Sequence, residues 1–125
     1  MIKVIIPLDK DFDYEINKHL FNKANQTLKE KMPFDELIKC YQFFSFYDGD
    51  EYLGFIYFFY KDDKLYVATA SVPKRYKKTL ECFKQALTYY DCDIYAQTTQ
   101  RHVKLAALKV GFKKISDNLY KYERI

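Results

Sequence analysis

The sequence predicts one α/β domain on a mixed, mostly antiparallel central sheet, with helices on both faces and one parallel strand pair. Three observations predict it. Aromatic residues make up 19% of the 125 residues, with 13 Tyr, 11 Phe and no Trp, and they gather in runs of strand character, where rings suit a pleated surface. Two of these runs flank Asp48-Gly49-Asp50, and Asp-Gly between strand patterns is a strong hairpin signal. In the second half helical and strand periodicities alternate, and a strand, helix, strand unit demands a parallel, right-handed crossover.

The elements follow in order. A first strand covers residues 3–8, and the acidic stretch 9–13 supplies a capping-type start to a helix over 14–31, with Ile16, Leu20, Ala24 and Leu28 as its apolar stripe. Pro33 suits a first helical turn, and Phe34, Leu37 and Ile38 mark a short second helix. Strands come next at 40–47 and 52–60. The second of them, YLGFIYFFY, barely alternates and belongs inside the sheet with both faces covered. Residues 61–64 turn the chain into a strand over 65–72. Tyr76, Leu80, Phe83 and Leu87 then recur at steps of three and four, which places a helix over 73–90. A strand at 92–96 precedes a helix capped by Thr98 or Thr99, with Val103, Ala106, Ala107 and Val110 inward and Gly111 as its left-handed terminator. Strands at 112–115 and 119–123 close the chain around Ser116-Asp117-Asn118.

Composition narrows the function. A hydrophobic content of 49% fills one core, and three Gly with three Pro leave no linker for a second domain. The apolar start is too short for a signal segment or a membrane span, so no membrane partner and a cytoplasmic location are expected. Cys40, Cys82 and Cys92 lack metal-ligand spacing and are odd in number, so neither a metal site nor a disulfide framework is expected. Cys82 and Cys92 read as small buried residues. A net charge of +4 fits a solvated basic surface as well as a nucleic-acid partner, and no recognised nucleic-acid motif is present.

Charge is densest at Lys74-Arg75-Tyr76-Lys77-Lys78, where the third helix starts. Cations there oppose the helix dipole, so either their long side chains simply reach into water or an anion binds. A phosphate or carboxylate is the fitting anion, because ligands collect outside the carboxyl ends of α/β strands.

The succession YVATASVPKRYKKTLECFKQAL, then CDIYAQ, then TTQRHVKLAALKVGFKKI resembles the second half of a GNAT acyltransferase domain. Its most specific piece is Lys109-Val110-Gly111-Phe112, and the element order matches over residues 40–123. The resemblance implies acetyl-CoA as cofactor and transfer of its acetyl group to a small-molecule or protein amine. It implies cofactor contacts from Ser71, Val72, Arg75, Tyr76, Lys77, Lys78, Thr79 and Gln100, with strand and loop amides and nearby cations holding the diphosphate.

Two departures accompany it. Lys77, Thr79 and Glu81 stand where the family loop carries small residues, which hinders close approach of phosphate to the backbone; Lys77 can pair with Glu81 at i,i+4. Ala107 stands where many members carry a tyrosine that protonates the leaving thiolate, and Gln100 replaces an Asn. No catalytic residue is assigned: His102, Asp48 and Glu51 read as solvent-facing groups. These departures are similar to those of GNAT-like head or internal proteins of tailed phages, so the alternative is an inactive structural protein whose partner is a second copy or a virion component.

Overall fold

The computed structural model describes residues 2–24, 32–73 and 75–124. In chain order they form β1 (Ile2–Ile5), α1 (Tyr14–Ala24), α2 (Phe34–Cys40), β2 (Gln42–Asp48), β3 (Glu51–Lys61), β4 (Lys64–Ser71), α3 (Tyr76–Leu87), β5 (Ile94–Gln97), α4 (Arg101–Val110), β6 (Lys113–Ser116) and β7 (Leu119–Tyr122). The seven strands make one sheet in the order β1-β2-β3-β4-β5-β7-β6. All neighbours are antiparallel except β4 and β5, which the crossover through α3 makes parallel.

Turn chemistry sets the register. Gly49 at φ 62° opens the two-residue turn between Asp48 and Glu51. Asp62 and Asp63 both lie in the left-handed region, at φ 52° and 62°, which is what a two-residue hairpin asks of its central pair. One residue of β3 has no partner in β2: Phe46 opposes Gly54 and Tyr47 opposes Tyr52, so Leu53 bulges. Gly54 beside it has φ 143°, and a Cβ there would sit 2.2 Å from the Ala70 carbonyl oxygen. Only glycine lets β3 come this close to β4.

The sheet separates two cores. On one face α3 and α4 bury Cys82, Phe83, Ala86, Leu87 and Ala107 against Phe46, Ile56, Phe58, Ile94 and Phe112. On the other, α1 and α2 bury Phe21, Phe34 and Leu37 against Phe43 and Phe55. Consecutive residues Phe55 and Ile56 serve opposite faces, as strand alternation requires. That double burial explains the unbroken apolar run of β3, buried from Tyr52 through Ile56.

Several expectations shift. β1 stops at Ile5 because the Asp9 carboxylate accepts the Ile6 amide at 3.1 Å and folds the chain into a turn, leaving Leu8 93% exposed. Asp13 is the residue that caps α1, accepting the Ile16 amide at 3.1 Å. The inward positions of α1 are Asn17 and Phe21, one step round from the apolar stripe of Ile16, Leu20 and Ala24, which is only half-buried. Leu28 and the rest of that expected helix lie outside the described residues. Cys92 is exposed rather than buried, since it precedes β5 in the turn after α3. Tyr76, expected inward on α3, is 44% exposed.

Candidate functional site

The parallel seam makes the site. β4 and β5 pair only at Leu65 with Ile94 and Tyr66 with Tyr95, whereas β3 and β4 share eight register pairs from Gly54 to Lys61. Past Tyr66 and Tyr95 the strands part, and a cleft of about 90 Å³ opens between them. Val67 to Ala70 line one side, while Ala96, Gln97, Thr98, Gln100 and Val103 line the other. Phe83 approaches from the α3 face, and Phe21, Ala24, Phe55 and Tyr57 close the α1 face. A gap in a sheet exposes strand edges whose amides and carbonyls seek partners, so this cleft suits an extended, amide-bearing ligand.

β4 delivers the chain from the cleft directly into α3. The first-turn amides of any helix lack intrahelical acceptors. Arg75 holds the N-cap position with no side-chain cap bond, and no acidic residue sits in the first turn. Those donors together with Lys77 and Lys78 form a positive mouth at the carboxyl end of β4.

The cations of this segment divide. Arg75 turns away from the mouth, bonding Asp48 at 2.9 Å and also Glu51, so it ties the β2–β3 hairpin to the start of α3. Glu81 pairs with Lys78 at 3.4 Å in an i,i+3 arrangement, not with Lys77. Lys77 is exposed. Tyr76 lies under the Lys109 ammonium, 5.3 Å from its ring centre. Thr79 donates its hydroxyl to the Tyr76 carbonyl at 2.8 Å. Ser71 and Thr79 meet at a second, smaller hollow of about 10 Å³ floored by Gly54 and Cys82. The Val72 amide donates to the Leu53 carbonyl at 3.0 Å, fixing the exit from β4. Gln100, not the expected Thr98 or Thr99, stands across the cleft as the N-cap residue of α4 and makes no side-chain cap bond; its backbone amide donates to the Thr98 hydroxyl at 3.1 Å just ahead of the helix. The structure thus brings Thr98 and Gln100 to the cleft, keeps Lys77 and Lys78 at the helix mouth, and assigns Arg75 to the hairpin.

Ala107 is fully buried, packed in the core with Phe83 and Phe112. Gly111 at φ 113° ends α4, and the Phe112 amide then donates to the Ala107 carbonyl at 2.9 Å. The Gly-Phe pair is therefore a helix terminator whose phenylalanine wedges between Phe83 and Tyr122, at 5.6 and 5.5 Å. Burial pushes the Cys82 thiol up to about 11, with Glu81 adding to it, so Cys82 is no nucleophile at neutral pH. Among the described residues no cluster of potential ligands can hold a metal, and no helix is long and apolar enough to cross a membrane.

Sequence reasoning missed Phe21, Phe55, Tyr57 and Val103 as cleft residues. In a run of nine consecutive strand residues nothing marks Tyr57 as different from its neighbours. Only the register of the parallel pair shows which rings overlook the gap.

No family model and no curated protein matches the sequence. Among solved structures, the fold is similar to the crystal structure of an N-acetyltransferase from Staphylococcus aureus Mu50, with TM-score 0.70 and 14% identity, covering 98% of this chain and 97% of that one. Element order, the single parallel pair and this full-length superposition together establish a GNAT-like mixed α/β fold for the chain.

Proposed function

We propose that this chain is an N-acetyltransferase, taking an acetyl group from acetyl-CoA and passing it to an amine. The observation that carries the reading is the cleft at the β4–β5 seam, with an uncapped, lysine-bearing helix start at the end of the same strand. The first-turn amides of α3 and the Lys77 and Lys78 ammonium groups would hold the diphosphate by charge, without the glycine loop that lets it touch backbone. The unpaired edge of β4 would bond the amides of the pantetheine arm and polarise the thioester carbonyl. Gln100 would reach the arm from α4. When bound, acetyl-CoA supplies an activated acyl group; the chain supplies position and electrostatics.

The acceptor side is walled by Phe21, Phe55 and Tyr57, which favours an amine carried on an apolar or aromatic group. A cytoplasmic location agrees with a reaction drawing on acetyl-CoA and with cysteines kept as thiols.

One observation favours a second reading, a GNAT-like scaffold without catalysis. Arg75 and Lys78 already have carboxylate partners, so the helix mouth is less cationic than its sequence. Its partner would be a second copy or an assembly component.

A titration separates the two. If the first reading holds, saturating acetyl-CoA raises Tm by on the order of 5–10 °C, since a ligand bound only to the folded state stabilises by mass action. Lys77→Glu with Lys78→Glu removes most of that rise and leaves the unliganded Tm within about 2 °C. A wild-type melting curve unmoved by millimolar acetyl-CoA would leave the scaffold reading standing.

A further inference from the structure

Acyl transfer to an amine frees a thiolate at one end and a proton at the other, and something must carry the proton between them. Among the described residues lining the cleft, one side chain has a titratable group, and it is Tyr57. Its ring is held on several sides. Tyr41 stacks on it at 5.9 Å and 14°, Phe43 at 6.3 Å and 10°, and Phe55 at 6.0 Å and 28°. Phe59 packs at 6.0 Å along the same strand. A ring clamped this way holds its hydroxyl in one place, which proton transfer requires. Tyr57 pairs with Ala68 across the β3–β4 ladder, and the two line the cleft side by side.

We propose that the Tyr57 hydroxyl is the proton carrier of this cleft, which makes it a catalytic residue of the transferase reading above and rests on that reading. The amine nitrogen forms a C–N bond with the thioester carbonyl carbon. The C–S bond breaks and its electron pair goes to sulfur. The Tyr57 O–H proton passes to that sulfur, and the phenolate oxygen takes the proton given up by the nitrogen. Amine and thioester become amide and thiol, and Tyr57 ends as it began.

The surroundings fit this cycle. Burial, with a smaller contribution from Tyr41, pushes the Tyr57 phenol up to about 12, so it stays loaded with its proton across the neutral range. Tyr41 is the titratable group packed against it; Phe43, Phe55, Phe59 and Ala68 carry no charge. A phenolate here is too basic to persist, which keeps the two transfers coupled. The role explains how the chain does without a proton donor at Ala107, which is buried in the α3–α4 core.

The test uses the whole chain with acetyl-CoA and benzylamine, reading thiol release alongside thermal shift. Tyr57→Phe keeps the ring stack and removes the hydroxyl. The expected result is a kcat lowered on the order of 10²-fold, with KM for acetyl-CoA and the cofactor-induced Tm rise both unchanged. Replacing Tyr57 by a fluorinated tyrosine, whose phenol is more acidic, moves the alkaline limb of the pH profile to lower pH, which a merely structural ring would not do. A wild-type chain that releases thiol and a Phe variant of equal kcat overturns the carrier role alone. A wild-type chain that shows neither thiol release nor a thermal shift overturns both the carrier and the transferase.

Discussion

Asn17 is fully buried in α1 and is the most informative single residue of the fold. Its side-chain amide donates to the Asp13 carbonyl at 2.8 Å, while its carbonyl oxygen accepts the Ser45 hydroxyl at 3.1 Å and the Tyr52 hydroxyl at 2.6 Å. Ser45 is equally buried, and burial raises the Tyr52 phenol far above its usual value, so both are neutral donors. One polar residue thereby pins α1 to β2 and β3. Asn17→Leu fills the space but strands two buried hydroxyls, each worth about 1–3 kcal/mol when unsatisfied. Loss of about 3 kcal/mol in urea unfolding is expected, with Tyr52→Phe costing about 1 kcal/mol; a neutral Asn17→Leu would mean the hydroxyls find other partners. Sequence periodicity could not find this contact. It weights apolar positions, so it set the buried face of α1 on Ile16, Leu20 and Ala24, and an asparagine at an inward position reads as a polar surface residue.

At the scale of elements, turn and cap chemistry was legible wherever a few adjacent residues decide the outcome. Gly49, the Asp62-Asp63 turn and the Gly111 terminator all occupy the backbone conformations their sequence implies. Contacts between distant elements were not legible. The Arg75 fork joins α3 to the β2–β3 turn across 27 and 24 residues, and its sequence neighbours suggested a phosphate ligand instead. Gly54 is the sharper case, because a strand glycine announces a bulge but not its neighbour. Gly54→Ala would force a Cβ against the Ala70 carbonyl in a backbone conformation that L residues rarely adopt. A loss of about 3 kcal/mol or more is expected, read as a lower denaturation midpoint. Since Ala70 also lines the cleft, the same variant should show a smaller thermal response to acetyl-CoA.

For the molecule as a whole, the sheet works as a partition that opens at its parallel seam. The aromatic composition specified a ring-packed sheet, and the strand–helix–strand order specified where its parallel pair would fall. How wide that pair gapes depends on the pairing of β5 with β7 and on α4 between them in the chain, which no local pattern encodes. Along β3 the partition is complete, but at the β4–β5 seam Phe21 and Phe55 from one core and Phe83 from the other line the same space. An unfilled space where two cores meet forgoes packing contacts and leaves strand edges unpaired, so the cleft is maintained against stability. Val103→Phe tests this directly. Val103 is half-buried on α4 and faces the gap, where a ring can fill part of the space. Filling should raise the unliganded stability, by the roughly 0.5–2 kcal/mol typical of cavity-filling changes, while abolishing the acetyl-CoA-induced Tm rise that the transferase reading expects. Stability and ligand response moving in opposite directions would identify the gap as a binding site. A variant that loses stability and keeps its ligand response would show instead that the seam is already closed in solution and that acetyl-CoA binds elsewhere.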